Sequence, residues 1–321
     1  MPKVSVILPN YNHAPYLKQR IESVLNQTFQ DFELIILDDL STDNSRDVIE
    51  NYRGTPQISG IVYNERNSGS TFKQWHKGVG LARGEYIWFA ESDDWCEPSM
   101  LQTLVEGIES DKDCVVSYCQ AYCIDGTNKM RFVSHHDYLS EIKNGDVFIK
   151  DFMIQRSAIF NASMAIWKKA VYEKISNQFQ QFKLCGDWLF WMELANQGKV
   201  HISGKVLNYF RKHDSDVSGK MYRSGWAIIE ELQVLQIVFK KGFISTNTYL
   251  LGLKRFIKAY YKAYTGFSTQ VQLAFQEEAD AILLNFPERR TVAFYMYKSK
   301  IRYDLKRILS SFRFGKEEVL K

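Results

Sequence analysis

The stretch Glu85-Tyr86-Ile87-Trp88-Phe89-Ala90, followed at once by Glu91-Ser92-Asp93-Asp94, decides how the rest is read. The first six residues are mostly apolar and have the character of a strand buried on both faces. The strand delivers three carboxylates to a single turn. The same unit recurs toward the N-terminus. Val4-Ser5-Val6-Ile7-Leu8 reads as a buried strand broken by Pro9-Asn10-Tyr11-Asn12. Leu17, Ile21, Val24 and Leu25 follow at helical spacing, with Pro15 in the first turn, where a proline is tolerated. Phe32 to Leu37 is a second strand ending on Asp38-Asp39. Ser41 to Ser45 supplies capping residues for a helix through Val48, Ile49 and Tyr52. Ile58 to Tyr63 is a third strand, and Phe72 to Leu81 a helix. This alternation predicts a parallel sheet with right-handed crossovers, whose ligands bind beyond the carboxyl ends of the strands. Polar clusters stand at three such ends: Asn10 to Asn12, Asp38-Asp39, and the acidic turn.

Beyond residue 98 the pattern is mixed. Leu101, Leu104, Val105 and Ile108 mark a helix. Val115 to Tyr122 and Met130 to Val133 read as strands, and Gly186-Asp187 opens a helix bearing Trp188, Leu189 and Trp191. His201-Ile202 and Val206 to Phe210 read as two short strands. His135-His136 reads as surface. From about 220 onward glycine thins out, and helical patterns run near 226–241, 246–264, 270–284 and 292–311.

The chain has 321 residues, with 41 Lys and Arg against 37 Asp and Glu, a balance too even to argue for nucleic acid. Its five cysteines are odd in number and form no CxxC pair, which predicts neither a disulfide framework nor a zinc site and fits a reducing cytoplasm. No segment approaches the roughly 18 apolar residues of a membrane span, and the N-terminal apolar run is too short for a signal peptide.

Carboxylates crowded on one turn repel one another unless a cation or hydrogen bonds intervene, and oxygen ligands of this type suit Mg²⁺ or Mn²⁺. Taken alone, the acidic turn and Asp187 read more readily as helix caps than as a site, and Asp38-Asp39 reads either way. The position of the turn, in register with two other polar strand ends, favours a site. A GxGxxG fingerprint and a P-loop are both absent.

The blocks VSVILPNYNHAPYLKQRIESVLNQTFQDFELIILDDLSTDNS and RGEYIWFAESDDW resemble glycosyltransferase family two, densely over about residues 3–110 and thinly to about 220. The resemblance implies the GT-A fold, an α/β, Rossmann-like architecture with a mostly parallel central sheet flanked by helices. It implies a catalytic domain over 1–220, with a nucleotide-binding half to about 110 and an acceptor half from about 111, followed by a helical C-terminal region over 221–321. It also implies inverting transfer from a nucleotide-diphosphate sugar, UDP-linked by default, with Mn²⁺ or Mg²⁺. The acceptor is a saccharide or lipid-linked molecule in polysaccharide, lipopolysaccharide or glycoconjugate synthesis.

Residue by residue, Pro9, Tyr11 and Asn12 match the nucleobase cradle, and Asp39 matches the acid that contacts uracil or ribose. Glu91-Ser92-Asp93 falls on the family's DxD motif. Asp93 stands at the metal carboxylate, Ser92 beside the nucleotide, and Glu91 where the family has Asp; Asp94 is a further acid on the metal side. Lys73 matches a basic residue that meets phosphate. His213 closes a late Arg-x-His pattern as a metal or diphosphate ligand. Asp187 matches the catalytic base.

Residues 299–321 alternate basic and apolar side chains, which reads either as a helix lying on an anionic membrane or as one packed on the protein with a solvated basic face. Two other functions fit a metal and a Rossmann-like sheet. A sugar-nucleotide-forming nucleotidyltransferase would want a glycine-rich basic loop after the first strand, where Pro9-Asn10-Tyr11-Asn12 stands. A non-catalytic nucleotide-sugar binding protein would not require Asp93 and Asp187 together.

Overall fold

The computed structural model describes residues 1–127, 129–213 and 217–317, with the backbone alone at 217–218 and 308–317. The chain forms two compact units, Met1–Asp216 and Val217–Lys321. The first unit runs β1 (Val4–Asn10), α1 (Ala14–Leu25), β2 (Phe32–Asp38), α2 (Ser45–Glu50), β3 (Ile58–Tyr63), α3 (Thr71–Leu81), β4 (Tyr86–Phe89), β5 (Trp95–Cys96) and α4 (Met100–Glu109). It continues with β6 (Cys114–Asp125), β7 (Met130–Val133), β8 (Ser140–Asn144), α5 (Gly145–Phe148), β9 (Ala165–Lys168), α6 (Gly186–Ala195) and β10 (Lys199–Lys212).

These strands form one sheet in the order β3-β2-β1-β4-β9-β6-β10-β5. β3, β2, β1 and β4 are parallel, as the alternation of strands and helices predicts. β9 is antiparallel to both β4 and β6, while β6 and β10 are again parallel. β7 pairs with β6 and β8 with β10. The result is a mixed α/β sheet, all parallel across β3, β2, β1 and β4 and mixed beyond β4, within the expected α/β class.

The structure corrects three local expectations. Pro9 does not break β1: it pairs with Leu37 of β2, beyond Ile7, the last residue of β1 paired with β4. A proline is tolerated where a strand has lost one neighbour. The two short strands expected at 201–210 are one long strand, β10, because register shifts between Ile202 and Val206 and between Val206 and Asn208 absorb the polar Ser203-Gly204-Lys205 interruption. His136 is not on the surface: its side chain is 7% exposed, and its Nε2 lies 3.1 Å from Glu141.

Helices cover the sheet with stripes of apolar residues, Leu17, Ile21 and Val24 from α1 and Phe72, Trp75 and Val79 from α3. Trp75 stacks on Phe89 with ring centroids 4.3 Å apart, which seats α3 over the end of β4.

On the other half of the sheet, His201 of β10 is buried between Ser117 Oγ (2.8 Å from Nδ1) and Ser140 Oγ (3.0 Å from Nε2). Gly107 of α4 makes room for it, since an added Cβ would lie 2.1 Å from the ring. Burial pushes the His201 pKa down from 6.5 to about 4. The unfolded chain therefore takes up this proton first. The stability contributed by the neutral ring is complete above pH 6.5 and is lost as pH falls toward 4, by roughly 3 kcal/mol in all. Urea titrations between pH 7 and 4 should show a steeper loss for the native chain than for His201→Gln. Parallel losses would mean that this ring is not the group responsible.

The second unit comprises α7 (Val217–Ser224), α8 (Trp226–Lys240), α9 (Thr246–Ala263), α10 (Thr269–Asn285) and α11 (Arg289–Glu317). Leu232 and Leu235 of α8, Leu253 and Phe256 of α9, and Phe275 of α10 are buried in its core. Tyr260 stacks on Phe275 with centroids 3.5 Å apart. Among the described residues no helix is long and apolar enough to cross a membrane.

Candidate functional site

The strand order sets β2, β1 and β4 side by side, so the three polar clusters meet along one edge of the sheet. Asn10 donates to Asp38 Oδ1 (2.8 Å) and joins the first two. His13 Nδ1 lies 2.8 Å from Ser92 Oγ and joins the first to the acidic turn. Asn12 adopts the left-handed conformation, φ 57°, and its Oδ1 accepts from the backbone of Thr42 at 2.7 Å. Tyr11 stands beside it, 47% exposed, while Pro9 lies within buried β1.

The acidic turn is divided. Asp93, His13 and His213 bring their ligand atoms within 4.8 Å of one another, all three partly buried. His213 Nε2 lies 3.2 Å from Asp93 Oδ2. Glu91 and Asp94, expected at the metal together with Asp93, are outside this group. Glu91 accepts from Trp75 Nε1 at 2.8 Å. Asp94 is almost fully buried; its Oδ2 accepts from Asn161 (2.8 Å) and Ser163 (2.7 Å), and its Oδ1 from the Arg211 backbone (3.1 Å). Adjacent residues on a turn point different ways, and Asp94 points into the protein.

Electrostatics follow this division. Burial, and then the charge of Asp93, push Glu91 up to about 8 and Asp94 up to about 7. Burial would also raise Asp93, but the His213 hydrogen bond and the charges of His13 and His213 hold it below the ordinary carboxylate value. A cation is what would relieve this concentration of negative charge.

Two arginines brace the turn: Arg20, which sequence reading passed over, and Arg211, which it noted only as the start of the Arg-x-His pattern. Arg20 of α1 is fully buried, 5.0 Å from the Trp88 ring, and its charge lowers both Glu91 and Asp94. Arg211 donates from Nε to the Asp93 carbonyl at 3.1 Å and lies between the rings of Tyr16 and Trp95. His13 was also passed over. It is a lone histidine eighty residues from Asp93, and only the adjacency of β1 and β4 brings the two together.

Asp39 is 4% exposed, and its carboxylate accepts from Asn64 (2.6 Å), Ser68 Oγ (2.7 Å) and backbone (2.8 Å), and Gln74 (2.9 Å). It ties β2 to the 64–70 loop and, through Gln74, to α3. Lys73, exposed on α3, reaches the Ser68 carbonyl at 3.2 Å.

Asp187 lies in the first turn of α6, with its Oδ1 accepting from Trp188 N at 2.7 Å. Gly186 allows the close approach behind it: a Cβ there would lie 2.3 Å from the Phe179 carbonyl and 2.6 Å from the Phe72 ring. Phe72 follows Thr71, whose hydroxyl lies 3.5 Å from Glu91. The first turn of α3 therefore touches the start of α6 on one side and the acidic turn on the other.

The family model Glycosyl transferase family 2 matches residues 5–176. The chain is 33% identical over 247 residues to the putative teichuronic acid biosynthesis glycosyltransferase TuaG of Bacillus subtilis, covering 74% of this chain and 91% of TuaG. It is 33% identical over 206 residues to the poly(ribitol-phosphate) beta-N-acetylglucosaminyltransferase TarP of Staphylococcus aureus, covering 62% of this chain but only 59% of TarP. The structure of S. aureus TarS residues 1–349 in complex with UDP-GlcNAc superimposes with a TM-score of 0.71 at 20% identity, over 98% of this chain and 92% of that one. That likeness is one of fold.

Proposed function

The chain belongs to glycosyl transferase family 2, and from that premise we propose that it transfers a sugar from a nucleotide-diphosphate donor, UDP-linked by preference, to a saccharide hydroxyl with inversion. The observation that carries the reading is the His13–Asp93–His213 group at the edge where β1, β2 and β4 end. Two imidazoles and one carboxylate suit Mn²⁺ better than Mg²⁺, which prefers an all-oxygen shell. An ion held there would set positive charge against the diphosphate leaving group.

The other steps belong to side chains. Tyr11 offers an exposed ring to the nucleobase, and Asn12 fixes the loop that carries it. Asp39 shapes the site by holding the 64–70 loop and Gln74 of α3 rather than by offering a free oxygen. Lys73, anchored only to a carbonyl, can turn toward a phosphate. Asp187, in the first turn of α6, takes the proton of the acceptor hydroxyl. The acceptor oxygen bonds to the anomeric carbon as the bond from that carbon to the diphosphate oxygen breaks. Phe210, Phe160 and Phe132, with successive centroids 5.8 Å apart, form a row of rings leading from the end of β10 toward β7, a surface suited to an acceptor sugar. All five cysteines are buried and none forms a disulfide, which supports a cytoplasmic setting.

Incubating the chain with Mn²⁺ and a panel of UDP-, GDP- and dTDP-sugars tests the reading. Release of UDP from at least one UDP-sugar, suppressed by EDTA, is the expected result. Donors that bind yet stay intact throughout would replace the transferase with a binding protein.

A further inference from the structure

The basic segment expected to meet a membrane or to pack on the protein, 299–321, lies partly in α11; the side chains of 308–317 and the whole of 318–321 are outside the described residues. The His13–Asp93–His213 group, in contrast, lies wholly within them. Its three side chains come from distant places in the sheet. His13 follows β1, Asp93 follows β4 and His213 follows β10. β1 and β4 are neighbours, but β9 and β6 stand between β4 and β10. Three strand spacings would leave the ends of β4 and β10 about 14 Å apart. His213 Nε2 nevertheless lies 3.2 Å from Asp93 Oδ2. Something has to draw the end of β10 onto the turn.

Two connections do so. β5, which follows the turn directly, pairs antiparallel with β10, Trp95 with Tyr209 and Cys96 with Asn208. Asp94, the residue just before β5, makes the second connection with its carboxylate. Its Oδ1 accepts from the backbone of Arg211, two residues before His213, at 3.1 Å. Its Oδ2 accepts from Asn161 Nδ2 at 2.8 Å and from Ser163 Oγ at 2.7 Å. Both donors stand just ahead of β9, the strand that begins to fill the gap. With Oδ2 held on the β9 side, Oδ1 is aimed at the end of β10.

The donors are themselves braced. Ser163 Oγ accepts from the Glu91 backbone at 3.0 Å, so one hydroxyl grips both ends of the turn. The Ser163 carbonyl accepts from Trp88 Nε1 of β4 at 2.8 Å. Asn161 Oδ1 accepts from the Ser163 backbone at 2.9 Å and from Asn208 Nδ2 of β10 at 3.3 Å. Asn161, Ser163, Asp94 and Asn208 are all 6% exposed or less. At that depth the Asp94 carboxylate cannot turn without leaving donors unsatisfied in a dry interior.

We propose that Asn161 and Ser163 are positioning residues of the cation site: by fixing Asp94 they hold the end of β10, and with it His213, at ligand distance from Asp93. The proposal rests on the reading of His13, Asp93 and His213 as holding a divalent ion. Asn161 and Ser163 act through Asp94 and Arg211, not at the ion itself.

Titration calorimetry of the full chain with Mn²⁺ alone, without nucleotide, tests it. Asn161→Ala should lower Mn²⁺ affinity by roughly tenfold, the low end for partners that orient a metal ligand. In a His213→Ala background the same change should cost less than about twofold, because the histidine it positions is already gone. Ser163→Ala should repeat the pattern, and takes the place of Asn161→Ala should that chain fail to fold. A lowered melting temperature with native Mn²⁺ affinity would overturn the proposal and leave a purely structural role. Equal losses in the native and His213→Ala backgrounds would also overturn it, since the clamp would then not act through His213. Absence of Mn²⁺ binding by the native chain would instead remove the cation site itself, and the proposal with it.

Discussion

Asp187→Asn should abolish sugar transfer while leaving donor affinity close to that of the native chain. Asparagine keeps the shape of aspartate and an oxygen for the Trp188 backbone donor, so the first turn of α6 should survive the change. What disappears is the negative charge proposed to take the acceptor's proton. General-base contributions of this kind are worth between about 10²- and 10⁴-fold, and the loss should fall on kcat. The wall behind Asp187, where Gly186 packs against Phe72 and Phe179, is untouched, so the melting temperature should barely move. A variant that transfers at near-native rate would remove Asp187 from the mechanism, and so would a loss confined to donor binding.

The second large effect is expected at Asp93. It is the sole carboxylate of the group it forms with His13 and His213. Asp93→Asn removes that charge at nearly constant shape, and Mn²⁺ affinity should fall on the order of a hundredfold or more, since even partners one shell further out are worth 10- to 100-fold. His13→Ala and His213→Ala should each give smaller losses, because a carboxylate and one imidazole remain. Glu91→Gln should weaken the ion less than Asp93→Asn, since Glu91 is engaged by Trp75 instead.

The parallel half of the sheet is legible in the sequence because its strands are buried on both faces and therefore continuously apolar, from Val4 to Leu8 and from Phe32 to Leu37. β3 and β7 lie where composition and turn residues place them. β8 does not announce itself: Ser140-Glu141-Ile142-Lys143-Asn144 is a mostly polar strand that pairs with β10 alone. β9 is four residues long, too short to show a period, and takes its place from β4 and β6 on either side.

The site divides in the same way. Asp93 and Asp38 are legible because each follows an apolar run. The different directions of Asp93 and Asp94 are not, because they depend on Asn161 and Ser163, which meet Asp94 only in the folded chain. Arg211 sits in a visible Arg-x-His pattern, but its work on the Asp93 carbonyl depends on where β10 ends. His13 belongs to the site only because β1 and β4 are neighbours.

On the proposed function, these strand ends form a divalent-cation site that binds a nucleoside diphosphate. Calorimetric titration of UDP onto the native chain, with Mn²⁺ and then with EDTA, tests it most directly. Saturable binding is expected with Mn²⁺, none with EDTA, and none at the same concentrations for Asp93→Asn. UDP binding of equal strength in EDTA, or binding that Asp93→Asn leaves unchanged, would contradict it.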